Sequence, residues 1–112
     1  MSGYLARSLL LVSSAMVLVP SHAADDAAQQ ELGKKLFTQL AVPSCALCHT
    51  LKDAGTNGAV GPVLDELQPD AQRVVTALKN GIGSMPSFKN NLSEVQIQAL
   101  AKYVEKATGA AK

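Results

Sequence analysis

The chain has 112 residues, 47% of them hydrophobic, with ten lysine or arginine and nine aspartate or glutamate residues. A nucleic-acid-binding protein would show a strong basic excess, so this balance excludes that class. The length allows one small domain, whose own hydrophobic core would be marginal. We therefore expect a single domain that is stabilised by something in addition to its side chains.

The first 23 residues are typical of a secretory signal peptide. Arg7 supplies a positive charge, the run from Ser8 to Val19 is apolar, and Ser21-His22-Ala23 is a small-x-small cleavage site. The run is shorter than the roughly 20 apolar residues that span a bilayer, although an uncleaved membrane anchor is the alternative interpretation. The sequence predicts cleavage before Ala24, a domain over residues 24–112, a periplasmic location, and no stable membrane insertion after cleavage.

A first helix is predicted from about Ala27 to Leu40, capped by Asp25 or Asp26. Its apolar residues fall on one helical face and are Leu32, Leu36, Phe37 and Leu40. Gly33 lies inside this helix, where a glycine costs about 1 kcal/mol relative to alanine. Close approach of another helix would compensate for that cost, and a tolerated defect is the alternative. Pro43 ends the helix.

The next segment, Cys45-Ala46-Leu47-Cys48-His49, reads C-x-x-C-H, which is a covalent haem attachment pattern. Two thiols three positions apart lie about one helical turn from each other and can add to the two vinyl groups of one haem. His49 then offers an imidazole to the iron. A structural zinc site would need four ligands, which residues 24–112 could complete only with a carboxylate. A thioredoxin-type motif would need strands, and a disulfide across so short a loop would contribute little. We predict one covalently bound haem c.

Residues Thr50 to Val60 are predicted to form a surface loop, followed by Gly61-Pro62-Val63-Leu64. Pro62 has no N–H, but its carbonyl oxygen can accept a hydrogen bond. If it accepts from the ring nitrogen of His49 that faces away from iron, it fixes the imidazole tautomer. A plain Gly-Pro turn is the alternative interpretation of this segment.

Two further helices complete the predicted elements. One begins at Pro69-Asp70 and runs to about Asn80, with Gly81 as its C-terminal stop. The other is opened by Ser93, which with Gln96 matches a capping box. The apolar stripe of this last helix consists of Ile97, Leu100, Ala101 and Val104.

The loop between these helices contains Met85, which is the one methionine in residues 24–112 and lies 36 residues after His49. Methionine is usually a core filler, which is the alternative here. Ser84 and Pro86 flank it, however, so it does not belong to an apolar stripe. We predict that its sulfur is the second axial ligand of the haem iron, with lysine or tyrosine as chemically possible substitutes.

Taken together, these segments resemble the class I cytochrome c family. Gly33-Lys34-Lys35-Leu36-Phe37 and Leu100-Ala101-Lys102-Tyr103-Val104 resemble its crossing N- and C-terminal helices. Gly61-Pro62-x-Leu64 resembles its proline segment and Met85-Pro86 its methionine loop. The resemblance implies a small all-α fold of three to four helices wrapped round one haem. It also implies that Gly33 allows the crossing and that Phe37 meets Tyr103.

A narrower resemblance covers the run from Cys45 to Leu67, which is similar to cytochromes that accept electrons from bacterial sulfite dehydrogenases. Such cytochromes are either the haem subunit of the enzyme or a shuttle to a terminal oxidase. The resemblance implies redox protein partners, with a molybdenum sulfite dehydrogenase and a cytochrome oxidase as candidates. It does not assign the residues that contact the haem propionates, for which the candidates are Arg73, Lys79 and Lys89.

The leading hypothesis is therefore an electron-transfer protein and not an enzyme: a periplasmic mono-haem cytochrome that carries single electrons between a dehydrogenase and a downstream acceptor. The alternative is a haem enzyme or gas sensor with an open sixth coordination position. Met85 argues against that alternative, as does the absence of a second histidine from residues 24–112.

Overall fold

The computed structural model describes residues 3, 10–18 and 22–111. Within them it has helices α1 (His22–Lys35), α2 (Leu64–Leu67), α3 (Ala71–Asn80) and α4 (Glu94–Ala107), and strands β1 (Thr50–Leu51) and β2 (Thr56–Asn57). A π-helical turn over Leu36–Leu40 follows α1, and two short 3-10 turns span Cys45–Leu47 and Lys52–Ala54. The predicted all-α class is confirmed.

The predicted signal peptide falls largely outside this fold. Arg7 and Ser21 lie outside the described residues, while residues 10–18 form no helix or strand and are exposed. Among the described residues, no helix is both long and apolar enough to cross a membrane. Cleavage before Ala24 stays a prediction.

The first helix differs from the prediction at both ends. It begins at His22 and not near Ala27, so Asp25 lies in its first turn and does not precede it. After Lys35 the backbone widens into the π-helical turn, in which the Ala41 N–H donates to the Leu36 carbonyl at 3.0 Å. The wider turn rotates Leu40 outwards, to 53% exposure. Its predicted place on the buried face was wrong.

The predicted surface loop after the C-x-x-C-H segment is more ordered than expected. Strands β1 and β2 pair antiparallel, with Thr50 opposite Asn57 and Leu51 opposite Thr56. Gly55, at a φ of 66°, makes the turn between them. Strands of two residues are too short to produce an alternating pattern in a sequence. The same is true of the four-residue helix α2, which the prediction lacked.

Helices α1 and α4 cross in close contact at Gly33, which is buried. A Cβ atom at this position would collide with the Cβ of Tyr103 and would lie 2.5 Å from the Ala99 carbonyl oxygen. One turn further on, the rings of Phe37 and Tyr103 meet edge to face, with centroids 6.3 Å apart. The expected roles of Gly33 and Phe37 are confirmed.

Helix α3 is attached to α4 by polar contacts as well as by its buried face. The Glu105 carboxylate accepts from the Ala71 N–H at 2.5 Å, and the Gln68 side chain donates to the Thr108 carbonyl at 2.9 Å. The predicted capping box of Ser93 and Gln96 is present at the start of α4. The hydrogen bonds of Ala71 and Gln68 hold the start of α3 against the end of α4. The core between the two helices includes Val75, Leu78, Ile97, Leu100 and Val104.

A polar contact closes the outer side of the α1–α4 crossing. The buried Tyr103 donates its hydroxyl to Asp53 Oδ2 at 2.6 Å, and Lys34 Nζ lies 3.6 Å from the same oxygen. Burial raises the pKa of Tyr103, and the hydrogen bond and negative charge of Asp53 raise it further.

Replacing Gly33 with alanine should destabilise the holoprotein by about 2 kcal/mol, even though alanine has the higher helix propensity, because the added methyl group overpacks the crossing. Chemical denaturation measures the change in free energy of unfolding. Ala28→Val, which adds bulk at an exposed position of α1, is the control and should have little effect. Equal stability of Gly33→Ala and the wild type would contradict the close crossing.

The raised pKa of Tyr103 predicts a stability contribution that disappears at high pH. Unfolded tyrosine ionises near pH 10, whereas the native phenol keeps its proton, so the contribution is complete below about pH 10 and is lost above it. Tyr103→Phe should therefore cost about 1–2 kcal/mol at neutral pH and progressively less towards about pH 11. Denaturation of both proteins across this range gives the difference. A difference that stays constant would count against the prediction.

Candidate haem site

The described residues enclose an apolar cavity of about 400 Å³ between the C-x-x-C-H turn, the segment after β2, α3, the methionine loop and α4. All five residues predicted from the sequence as site residues lie on its wall: Cys45, Cys48, His49, Pro62 and Met85. Most of the remaining wall is aliphatic or aromatic, and Phe37 from the helix crossing is part of it.

The C-x-x-C-H segment forms one tight turn at the edge of this cavity. The Ser44 hydroxyl accepts from the Ala46 N–H at 3.3 Å at the start of the turn. The His49 N–H donates to the Cys45 carbonyl at 2.9 Å and so closes it. The two cysteines form no disulfide, and the turn places both on the same wall as the imidazole.

Burial raises the pKa of Cys45 to about 11, so this thiol keeps its proton at neutral pH. Among the described residues, no cluster of three or more histidine, cysteine or acidic side chains could hold a metal ion. The structure therefore gives no support to the zinc interpretation of the motif.

The imidazole of His49 is held through its Nδ1 atom, which lies 2.8 Å from the Pro62 carbonyl oxygen. A carbonyl oxygen can only accept, so Nδ1 carries the proton and Nε2 keeps its lone pair for a ligand. The segment that bears Pro62 is itself tied to the motif, since the Gly61 N–H donates to the Cys48 carbonyl at 2.7 Å.

Two glycines that sequence reasoning missed pack against the same turn. A Cβ at Gly61 would lie 2.5 Å from His49 Cε1, so the ring rests against the backbone there. A Cβ at Gly58 would lie 2.5 Å from the backbone nitrogen of His49 and 2.5 Å from the carbonyl carbon of Cys48. Glycine at 58 and 61, three residues apart and just before Pro62, was the available sequence signal. Gly58 falls in the predicted surface loop and Gly61 in the predicted proline segment, and the sequence pattern predicts no packing role for either.

The loop that carries Met85 is held by backbone hydrogen bonds. Ile82 and Met85 exchange a pair of N–H to carbonyl bonds of 3.0 and 2.8 Å across Gly83 and Ser84. The Phe88 N–H then donates to the Leu78 carbonyl at 2.7 Å, which fastens the end of the loop to α3. These bonds fix the backbone of Met85 on the cavity wall.

Comparisons with known proteins agree with this geometry. A family model described as "Cytochrome C oxidase, cbb3-type, subunit III" matches residues 28–104. The chain is 33% identical over 115 residues to chloroplastic cytochrome c6 of Chlamydomonas reinhardtii, covering 93% of this chain and 72% of that protein. It is 38% identical over 76 residues to cytochrome c6 of Leptolyngbya boryana, covering 64% and 85% respectively.

The solved structure of the c-type cytochrome SorU from Sinorhizobium meliloti is similar to the chain with a TM-score of 0.71 and 49% identity. The match covers 74% of this chain and 94% of that one. The chain belongs to the class I cytochrome c family. The cofactor of this cytochrome is covalently bound haem c, and its function is electron transfer.

The residues of the cavity fit this cofactor. A haem needs apolar walls, two thiols at one edge, and nitrogen or sulfur donors for the iron. The cytochrome provides an apolar cavity, two cysteine side chains one turn apart, an imidazole with its Nε2 lone pair available, and a thioether. No other group of described residues combines these donors.

Replacing Gly61 with alanine should displace the His49 ring and weaken its bond to Pro62, at a cost of about 1–3 kcal/mol in stability. The His49 Nδ1 proton, observed by proton–nitrogen NMR of the holoprotein, should exchange faster with solvent. Val60→Ala changes the neighbouring residue, which is 74% exposed, and should leave that signal unchanged. An unaltered signal in Gly61→Ala would show that the ring does not rest on this glycine.

Proposed function

We propose that this cytochrome carries single electrons on one haem c attached at Cys45 and Cys48, with His49 and Met85 as the axial iron ligands. The observation that carries the proposal is the presence of both donor side chains and both thiols on the wall of one apolar cavity. Haem supplies reversible one-electron chemistry at iron. The remaining properties follow from what the protein residues do around it.

Each site residue has a defined task. The carbonyl of Pro62 keeps Nδ1 of His49 protonated, so that Nε2 is the ligating atom and the ring stays oriented. The thioether of Met85 favours ferrous over ferric iron and so raises the reduction potential. With His49 and Met85 both holding the iron, the site would be closed to substrates, and the apolar wall would keep water away.

A haem enzyme or gas sensor with an open sixth position is the competing function. It would need an iron face without a strong protein donor. The position of Met85 on the cavity wall, in a loop with a fixed backbone, supports the closed form instead. Electron transfer is then the chemistry that such a site can perform.

Met85→Ala tests the ligand assignment. The ferric variant should lose the weak far-red absorption of sulfur-ligated haem, its reduction potential should fall, and its ferrous form should bind carbon monoxide rapidly. Leu67→Ala, which changes another residue of the cavity wall, is the control and should retain all three wild-type properties. Rapid carbon monoxide binding by the wild type at neutral pH would favour the open-site alternative.

We further propose that the cytochrome is exported to the periplasm after cleavage before Ala24, and that its donor is a molybdenum sulfite dehydrogenase and its acceptor a cytochrome oxidase. The resemblance over residues 45–67 supports the donor, and the 49% identity to a c-type cytochrome over most of the chain supports a close functional relationship to such carriers. The exposed, irregular residues 10–18 are compatible with a removable leader.

The donor assignment predicts that sulfite will reduce the oxidised cytochrome promptly in the presence of a trace of periplasmic extract from its source, and that neither component alone will do so. The haem bands report the reduction. The extract must first be shown to oxidise sulfite with an artificial acceptor. If it does so and the cytochrome stays oxidised, sulfite dehydrogenase is not the donor, whereas the electron-carrier function is unaffected.

A further inference from the structure

Arg73 is the one residue with a permanent charge among the described residues that line the haem cavity. It shares a face of α3 with Val74 and Ala77, which also line the wall. Unlike Val74 and Ala77, which are partly buried, Arg73 is exposed. Its side chain therefore lies at the mouth of the cavity, where the apolar wall meets solvent and where an arginine can cover apolar surface with its stem.

No ion pair engages the Arg73 side chain among the described residues. Carboxylates on the neighbouring elements have other partners: Asp70 accepts from the backbone N–H of Arg73 at 2.7 Å, and Asp65 accepts from the N–H of Lys52 at 2.9 Å. Glu105 accepts from the N–H of Ala71. The remaining charged groups of α2, α3 and α4 do not line the cavity and are Glu66, Lys79, Glu94, Lys102 and Lys106.

Haem c has two propionate carboxylates on an edge of the ring different from the edge that bears its thioether links. Negative groups at the rim of an apolar cavity are costly unless they are paired or hydrated. A guanidinium is the protein group whose fork of N–H donors best matches a carboxylate. The cavity wall offers one such group, and it lies on α3, apart from the cysteine turn.

We propose that Arg73 binds a haem propionate and, through this pair, adjusts the reduction potential. The proposal rests on the haem attachment proposed above. Lys79 and Lys89, the other two propionate candidates from the sequence, do not fit the role. Lys79 Nζ lies 2.6 Å from Glu94 Oε1, and Lys89 is exposed and is not part of the cavity wall.

This pairing has two consequences for the cytochrome. A fixed positive charge at the cavity mouth disfavours the more positive ferric iron and so raises the potential. It also keeps the propionate ionised to lower pH, because an opposite charge nearby stabilises the carboxylate. Loss of the charge should reverse both effects.

The test compares holoprotein variants Arg73→Gln, Arg73→Lys and Lys89→Gln by redox titration from about pH 5 to about pH 9. At alkaline pH and fixed ambient potential, Arg73→Gln should raise the ratio of oxidised to reduced protein roughly two- to fourfold. The pH at which its potential begins to change should move upwards, since the propionate pKa rises. Arg73→Lys should lie between this variant and wild type, and Lys89→Gln should match wild type.

A haem labelled with carbon-13 at the propionate carboxylates gives a direct readout. Its carboxylate bands in the infrared difference spectrum between reduced and oxidised protein should shift in Arg73→Gln but not in Lys89→Gln. The proposal is overturned if Arg73→Gln and Lys89→Gln are indistinguishable in both measurements. Retention of the far-red band in every variant separates that result from a failure of the proposed His49 and Met85 ligation. If Arg73→Gln yields no holoprotein, Arg73→Lys is compared with Lys89→Gln in its place, by the same redox and infrared measurements.

Discussion

Close contact between α1 and α4 at Gly33 is the constraint on which the remaining structure depends. Since position 33 has no side chain, the two helices approach until Tyr103 and the Ala99 carbonyl occupy the space that a Cβ would need. That approach brings Phe37 against Tyr103, and it buries Leu36 and Phe37 of the π-helical turn. Phe37 then forms part of the haem cavity, so the helix crossing and the cofactor site share one set of contacts.

Around His49 and Met85, the proposed iron ligands, the geometry is set by backbone groups more than by side-chain packing. His49 is oriented by the Pro62 carbonyl and rests against Gly61, while Gly58 lies against the peptide between Cys48 and His49. Met85 is placed by paired backbone bonds to Ile82. A site held by backbone groups in this way would need little rearrangement on electron transfer. This is the property that an electron carrier requires.

The sequence is most informative where a residue or motif has few alternative structural roles. A C-x-x-C-H run, a glycine inside an amphipathic helix, and a serine followed by glutamine three residues later each had a specific physical meaning, and Gly33 and the Ser93 capping box were placed correctly. The β1–β2 hairpin could not be predicted, because strands of two residues are too short to show alternation. The π-helical turn could not be predicted either, because such turns are rare local departures from α-helical hydrogen bonding. The packing roles of Gly58 and Gly61 could not be predicted, since they depend on the groups that lie against each glycine in the fold. The fold was also needed to show that Arg73 is the basic residue that lines the cavity.

The most direct test of the closed, electron-carrying site is the proton NMR spectrum of the reduced holoprotein. Met85 is the one methionine in residues 24–112, so one methyl resonance reports on it. If its sulfur binds the iron, the ring current of the haem must move that methyl signal far upfield of all ordinary methyl groups. A Met85 methyl signal at the usual position for methionine would contradict the account and would leave the sixth coordination position to another ligand.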